Sequence, residues 1–278
     1  MKIKCYGSRG SVPVCGKEYK KYGGETTCFC INEGLAEQLV IDAGTGIRRL
    51  GNDLLHVETK IIHIFFTHVH WDHILGFPFF KPLYNSNYEI HIYSYPNNHK
   101  HNIQESINRT FMQPYFPINI DSIKAKVIYH DLSFTGEKIG NLQITPIPIS
   151  HPDGGCGYKI SEMGKTFILL TDNELGYQHP EGLTLKEYQN FCKDADLLVH
   201  DAEFRPEEYE RHQKWGHSQF EDAVHLAQAA NVKSLGLFHH NQDRNDEGID
   251  RIVNESRKIL SSTNIECFAL HSGQDIEI

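Results

Sequence analysis

Apolar residues recur along this chain at two spacings. Ile61-Ile62-His63-Ile64-Phe65-Phe66-Thr67 is a compact run rich in β-branched and aromatic residues and reads as a buried strand. Lys2–Tyr6, Cys28–Asn32, Gln38–Ile41, Glu89–Ser94, Ala125–His130, Leu142–Ile149, Thr166–Thr171, Asp196–His200 and Ser234–Phe238 read as further strands. Between them lie segments at helical spacing. Ile47, Leu50, Leu54 and Leu55 follow a tight Asp42-Ala43-Gly44-Thr45-Gly46 turn; Phe220, Val224, Ala227 and Ala230 share related faces; Asp246–Leu260 carries Ile249, Ile252, Val253, Ser256, Ile259 and Leu260. Ser218-Gln219-Phe220-Glu221 has the form of a capping box opening the middle one of these helices. Strands and helices alternate without a low-complexity stretch or linker, which predicts an α/β protein.

Composition narrows this picture. A chain of 278 residues can bury a sizeable core, as one large domain or as two. No run approaches the roughly 18 apolar residues of a membrane span. Met1-Lys2-Ile3-Lys4-Cys5 lacks the apolar core of a signal peptide, so no membrane partner is expected and cytoplasmic residence is. The seven cysteines show no Cys-x-x-Cys spacing, and Cys28 and Cys30 fall in a strand; reduced thiols are expected. A net charge of −9 argues against a broad basic surface for tRNA or DNA.

The chemistry is concentrated in His68-Val69-His70-Trp71-Asp72-His73, directly after the Ile61–Thr67 strand. Three imidazoles and a carboxylate crowd the turn where that strand ends, an arrangement that a divalent metal stabilises by gathering the lone pairs. His68 and His70 stand two apart in extended chain, point the same way and can share one ion. Asp72 and His73 lie where the chain turns and can reach a second. A His-rich surface turn is the competing reading, since the chain holds 18 histidines, but the order and context are restrictive.

His-x-His-x-Asp-His after a hydrophobic strand resembles the metallo-β-lactamase superfamily of binuclear hydrolases, and the resemblance extends from the Lys2–Cys5 strand to Ile278. It implies a single domain over residues 1–278, folded as a four-layer αββα sandwich with two divalent metal ions at one rim. It also implies a third His for the first ion, an Asp bridging both ions and a last His for the second. His151, Asp172 and His239 take those places, each at the C-terminal end of an apolar run. The expected ligands are then His68, His70 and His151 at one ion, Asp72, His73 and His239 at the other, and Asp172 between them. Five imidazoles among these seven ligands favour Zn²⁺, with Mn²⁺ or Fe as alternatives. His240 adjoins His239, and motif position assigns the role to His239. His63, His91, His99 and His101 read as ordinary core-edge or surface histidines, and Cys156 as a packing residue.

Within the superfamily, Asp42-Ala43-Gly44-Thr45-Gly46 resembles the Asp-x-Gly-x-Gly turn of the ribonuclease Z and cyclic-nucleotide phosphodiesterase branch. Val199-His200-Asp201-Ala202-Glu203-Phe204 resembles its His-Glu-Ala-Thr segment with Asp for Glu, and Trp215-Gly216-His217-Ser218 its His-Ser-Thr segment. Together these imply an Asp201–His217 pair beside the metals, with His217 serving the leaving oxygen and Asp201 holding it. Besides Asp201 for Glu and Gln219 for Thr in those segments, the chain departs from ribonuclease Z in the length of one connection. Only Pro152 to Thr171 separate His151 from Asp172, enough for a turn and two strands but not for a tRNA-grasping arm. A small phosphodiester such as a cyclic nucleotide is therefore the expected substrate, cleaved by a hydroxide bridging the metals, with Asp72 orienting the attacking water. A tRNA 3′-endonuclease, a thioester or lactam hydrolase, and a non-catalytic cofactor-biosynthesis accessory protein are the alternatives. A second copy of the chain, forming a homodimer, is a further partner left open. The aromatic and Pro-rich stretches within Phe77–Ser150 read either as core or as a wall on which a nucleobase stacks. Arg9, in Gly7-Ser8-Arg9-Gly10-Ser11-Val12-Pro13, reads equally as a phosphate ligand or as a brace for its loop.

Overall fold

The computed structural model describes residues 1–32, 37–95 and 102–278; His99 and His101 lie outside these. Strands β1 (Lys2–Gly7), β2 (Cys28–Ile31), β3 (Glu37–Ile41), β4 (Ile61–Phe65), β5 (Glu89–Ser94) and β6 (Lys126–Asp131) build one sheet. Strands β7 (Glu137–Ile139), β8 (Leu142–Pro148), β9 (Cys156–Glu162), β10 (Lys165–Leu170), β11 (Leu197–Asp201), β12 (Ser234–Phe238) and β13 (Glu266–Ala269) build the second, and β14 (Gln274–Glu277) returns to pair with β1. Helices α1 (Ile47–Leu54), α2 (Trp71–Ile74) and α3 (Ile103–Thr110) belong to the first half of the chain; α4 (Leu185–Cys192), α5 (Pro206–His212), α6 (Phe220–Ala229) and α7 (Asp246–Ile259) belong to the second.

Residue alternation along the strands generates the layers. In β4, Ile62 and Ile64 join a core with Ile47, Leu50 and Leu54 of α1, while Phe65 turns to the other face and packs between the sheets. In β10, Ile168 and Leu170 pack on Phe220 and Val224 of α6 and Ile252 of α7, while Phe167 and Leu169 meet the opposite sheet. Strands buried on both faces read as nearly continuous apolar runs, which is why they stood out in the sequence. The three resulting cores separate four layers, the expected αββα sandwich.

Topology then positions the chemistry. β3 to β6 run parallel in one sheet and β10 to β13 parallel in the other. Loops that leave the C-terminal ends of β3, β4, β10 and β12 carry Asp42, His68 to His73, Asp172 and His239, and Asp201 is the last residue of β11. Ligand sites outside the carboxyl ends of parallel strands are the general outcome of such sheets.

Several local expectations change. The capping box at Ser218 does not form: Gln219 is the residue before α6 and caps nothing with its side chain. Ser218 Oγ instead donates to the Asn173 carbonyl at 2.6 Å and accepts from Leu175 N at 3.0 Å, tying two loops of the rim together. Leu55 lies just beyond α1 and is exposed. His63 and His91, as core-edge residues, stack with His130 across β4, β5 and β6, at 4.8 and 5.0 Å between successive rings. All seven cysteines are free thiols, and Cys156 is buried as a packing residue. Among the described residues no helix is long and apolar enough to cross a membrane.

The Asp42–Gly46 turn packs directly on α2. A Cβ at Gly44 would stand 2.2 Å from the Asp72 carbonyl oxygen and 2.5 Å from Thr26 Oγ1. Gly44→Ala should therefore cost about 1–3 kcal/mol through overpacking, seen as a lower denaturant midpoint at unchanged slope.

Candidate metal centre

The backbone explains how one short segment serves two clusters. The chain stays extended through His70 (φ −64°, ψ 155°), which places His68 and His70 on one side. α2 begins at Trp71 and swings Asp72 and His73 to the other. His68, His70, His151 and Asp172 then offer ligand atoms all within 4.8 Å of one another, as do Asp72, His73, Asp172 and His239. His151 Nε2 lies 3.1 Å from His70 Nδ1, and His68 Nε2 lies 3.6 Å from Asp172 Oδ2. In the second cluster His73 Nε2 is 3.3 Å from Asp72 and 3.2 Å from Asp172, and His239 Nε2 is 3.1 and 3.3 Å from the same two carboxylates. Asp172 belongs to both clusters. Its backbone and that of His239 are held at φ 52° and 58°, a left-handed conformation that non-glycine residues seldom adopt outside sites that need it.

Each buried imidazole is oriented from behind. Asp42 accepts from Thr67 N and Thr67 Oγ1, each at 2.8 Å, and from His73 Nδ1 at 2.8 Å. The Thr67 oxygen accepts in turn from His68 Nδ1 at 3.1 Å. His151 Nδ1 donates to the Gly216 carbonyl at 3.0 Å, and His239 Nδ1 to Glu203 Oε2 at 2.9 Å. In the neutral rings these bonds place the protons of His68, His73, His151 and His239 on Nδ1 and leave Nε2 as a lone pair facing its cluster, the arrangement found behind metal-binding histidines.

Two features show that these residues fit divalent cations. His68 Nε2 and His73 Nε2 are buried with no hydrogen-bond partner, and a lone pair facing carboxylate oxygens is repulsive unless a cation lies between. The electrostatics agree. Burial drives His68 well below its usual pKa and His151 down to about 3, so both stay neutral. At His73 and His239 burial acts the same way but is outweighed by Asp72 and Asp172, which hold both well above the usual value. The second cluster demands positive charge.

Beside the clusters, His217 Nδ1 donates to Asp201 Oδ2 at 2.8 Å, with Glu203 Oε2 at 3.5 Å. Its ring stacks on His239 at 4.6 Å, and the His151 ring centre lies 5.4 Å away. Burial opposes the charged imidazole, but Glu203 and Asp201 outweigh it and push the pKa up to about 9. The expected Asp201–His217 pair is therefore present in space.

The structure decides two open readings and adds residues that the sequence did not single out. Arg9 is fully buried and braces its loop: Nε and Nη2 donate to the Gly23 carbonyl, and Nη1 to those of Asn241 and Arg244. His240 Nε2 donates to the Leu270 carbonyl and takes no part in either cluster. Glu203 and Asp42 are the carboxylates behind His239 and His73. Both lay in quoted segments, but only their distances reveal the role. Ser11 N donates to Asp72 Oδ2 at 2.9 Å, a backbone contact with no signature in residue type.

With this geometry in place, the comparisons with known proteins are informative. The sequence profile of the Beta-lactamase superfamily domain matches residues 37–240. The ribonuclease Z of Haloarcula marismortui is 25% identical over 303 aligned positions, which cover 92% of this chain and 91% of that protein. Among solved structures, the metallo-beta-lactamase fold protein YhfI from Bacillus subtilis superposes with a TM-score of 0.71 at 18% identity, covering 100% of this chain and 99% of that one. The short form of human tRNase Z superposes with a TM-score of 0.66 at 19% identity, covering 100% and 99%. This chain belongs to the β-lactamase superfamily, and its rim carries His/Asp clusters of the kind that hold divalent cations for hydrolysis.

Proposed function

We propose that this protein, as a single domain over residues 1–278, hydrolyses phosphodiesters at two divalent cations. His68, His70 and His151 hold one, Asp72, His73 and His239 the other, and Asp172 lies between. The observation that carries the reading is His217, an imidazole fixed by Asp201 and set against the histidines of both clusters. Cations held by these residues would supply a lowered pKa for a bound water and positive charge opposite the phosphoryl oxygens. The seven ligands, five of them imidazoles, suit Zn²⁺ best. The side chains supply the rest. Asp201 commits Nδ1 of His217 to a hydrogen bond, which leaves Nε2 to hold a proton for the departing oxygen. Asp72, steadied by the Ser11 amide, orients the attacking water. A thioester, whose thiolate departs readily, has little need of that proton donor, which makes a phosphodiester the better fit of the two.

On the substrate, the relatives favour RNA over the cyclic nucleotide expected from the sequence, because proteins alignable over nine-tenths of this chain carry the name ribonuclease Z. Precursor tRNA is therefore the first substrate to test. A second reading, a small nucleotide ester, rests on the cleft that opens beside His68, His70 and Asp72. It measures about 1120 Å³ and is walled by Trp71, Phe79, Met112, Tyr115 and Phe116, a size and polarity suited to a small ligand. Among the described residues Arg109 is the only lysine or arginine lining it, and its guanidinium is already paired with Glu105 at 2.6 Å. The connection from His151 to Asp172 is the β9–β10 hairpin with short flanking turns.

Metal content, the His217 position and the substrate can each be tested. Elemental analysis of fully loaded protein should give two ions per chain, and Asp172→Ala should remove most activity while the fold persists. His217→Ala should keep both ions yet slow turnover roughly 10²–10⁴-fold, with a smaller defect on a p-nitrophenyl ester that needs little protonation. Since the proton donor must be charged, the rate should fall as pH rises through about 9; an unchanged alkaline limb in His217→Ala would remove His217 from that role. On substrate, precursor tRNA should show kcat/KM falling steeply with salt if RNA is held by its phosphates. Faster turnover of bis-p-nitrophenyl phosphate or a cyclic nucleotide, nearly independent of salt, would instead select the small ester.

A further inference from the structure

Two residues beyond Asp172 in the chain, Glu174 is a buried carboxylate outside both clusters. It accepts four hydrogen bonds, two on each oxygen. Oε1 takes the Tyr209 hydroxyl and the Lys214 amide, both at 2.7 Å; Oε2 takes the Gly216 amide and His179 Nε2, both at 2.8 Å. No lysine or arginine side chain pairs with it among the described residues. Four donors converging on one carboxylate compensate its burial and leave little freedom in what donates.

What donates is the turn that completes the rim. Lys214 and Gly216 sit at φ 75° and 96°, so the turn uses two left-handed positions, one of them on a lysine. It needs an external anchor, and Glu174 binds the amides of those same two residues. The turn is also closely packed: a Cβ at Gly216 would fall 1.9 Å from His151 Nδ1. The Gly216 carbonyl accepts from His151 Nδ1, and the next residue is His217. Glu174 reaches His151 from the other side as well, since its own amide donates to the Ser150 carbonyl at 2.8 Å. One residue thus grips the chain just before His151 and the turn that hydrogen-bonds its ring.

We infer that Glu174 is a positioning residue, which aims His151 Nε2 into the first cluster and sets His217 beside Asp201 by clamping the 214–216 turn. The inference rests on the reading of the clusters as a two-cation centre. Glu174→Gln is the informative change, because the amide keeps the volume but can present an acceptor on one side alone. Either the Lys214 or the Gly216 amide then faces an NH₂ group and loses its partner.

The test uses the full chain, stripped of metal and titrated with Zn²⁺ against a chelator. The wild type should bind two ions; failure to do so would overturn the two-cation centre itself and is thereby distinguished from failure of the clamp. Glu174→Gln should weaken one of the two ions by roughly 10–100-fold, the usual effect of removing an outer partner of a ligand, and leave the other near its wild-type affinity. Exchange of the His151 Nδ1 proton, followed by NMR, should quicken in the same variant. Glu174→Asp, which keeps four acceptor positions on a shorter arm, should recover part of the affinity. Equal affinities for both ions in Glu174→Gln and wild type, or equal weakening of both, would overturn the inference and reduce Glu174 to a fold-stabilising residue. Should Glu174→Gln not fold, Tyr209→Phe removes a single donor and takes its place: selective weakening of the same kind supports the clamp, and weakening of neither or of both overturns it.

Discussion

The rim depends on one electrostatic constraint: lone pairs and carboxylates from many directions converge where the few proton donors, such as the Ser11 amide on Asp72 and the Thr171 hydroxyl on Asp172, do not suffice to satisfy them. His68 Nε2 and His73 Nε2 are buried without partners, and Asp172 places Oδ2 toward His68 and His239 while Oδ1 faces His73. Such a cluster is unfavourable in isolation. It persists because four of its five rings, those of His68, His73, His151 and His239, are fixed from behind by Thr67, Asp42, Gly216 and Glu203, so that they cannot rotate away and satisfy themselves. The left-handed backbone at Asp42, Asp172 and His239 shows the same pressure expressed in the main chain.

The outer ring of acceptors divides into two kinds. Asp42 and Glu203 are carboxylates and raise the basicity of His73 and His239, the two histidines that face both Asp72 and Asp172. Thr67 and Gly216 are neutral acceptors, and they serve His68 and His151, which face fewer acidic groups. Charge behind the ring thus follows charge in front of it. The second cluster is the more strongly polarised of the two, and His217, between Asp201 and Glu203, extends that polarised region beyond the cluster.

Much of this was legible in the residues. Strands buried on both faces announced themselves as apolar runs, and the tight order of His68, His70, Asp72 and His73 marked the clusters before any coordinate was known. His151, Asp172 and His239 were legible only through family resemblance, since a lone His or Asp after a strand carries no signal of its own. The outer partners were harder. Glu174 accepts two backbone amides, and the chain writes an amide identically at every position. Gly216 acts through a carbonyl, with the same result. Ser218 illustrates the converse: its spacing to Glu221 mimics a capping box, but the demand for hydrogen bonds at the rim, from Asn173 and Leu175, outcompetes the helix end. Arg9 could not be assigned from sequence because a guanidinium suits carbonyls and phosphates alike; only burial under Gly23, Asn241 and Arg244 chooses between them.

The clusters draw on both sheets. His68 to His73 leave β4 of the first sheet, whereas His151, Asp172 and His239 leave strands of the second. A cation bound here acts as a rivet across the seam of the sandwich, and its binding free energy is also energy of cohesion between the two halves. Stability then becomes a function of the surrounding metal concentration: free ion at a hundred times its dissociation constant contributes about 2.7 kcal/mol per site. Without the ion the two halves would be easier to open along that seam, so the supply of metal would set how firmly the sandwich holds together.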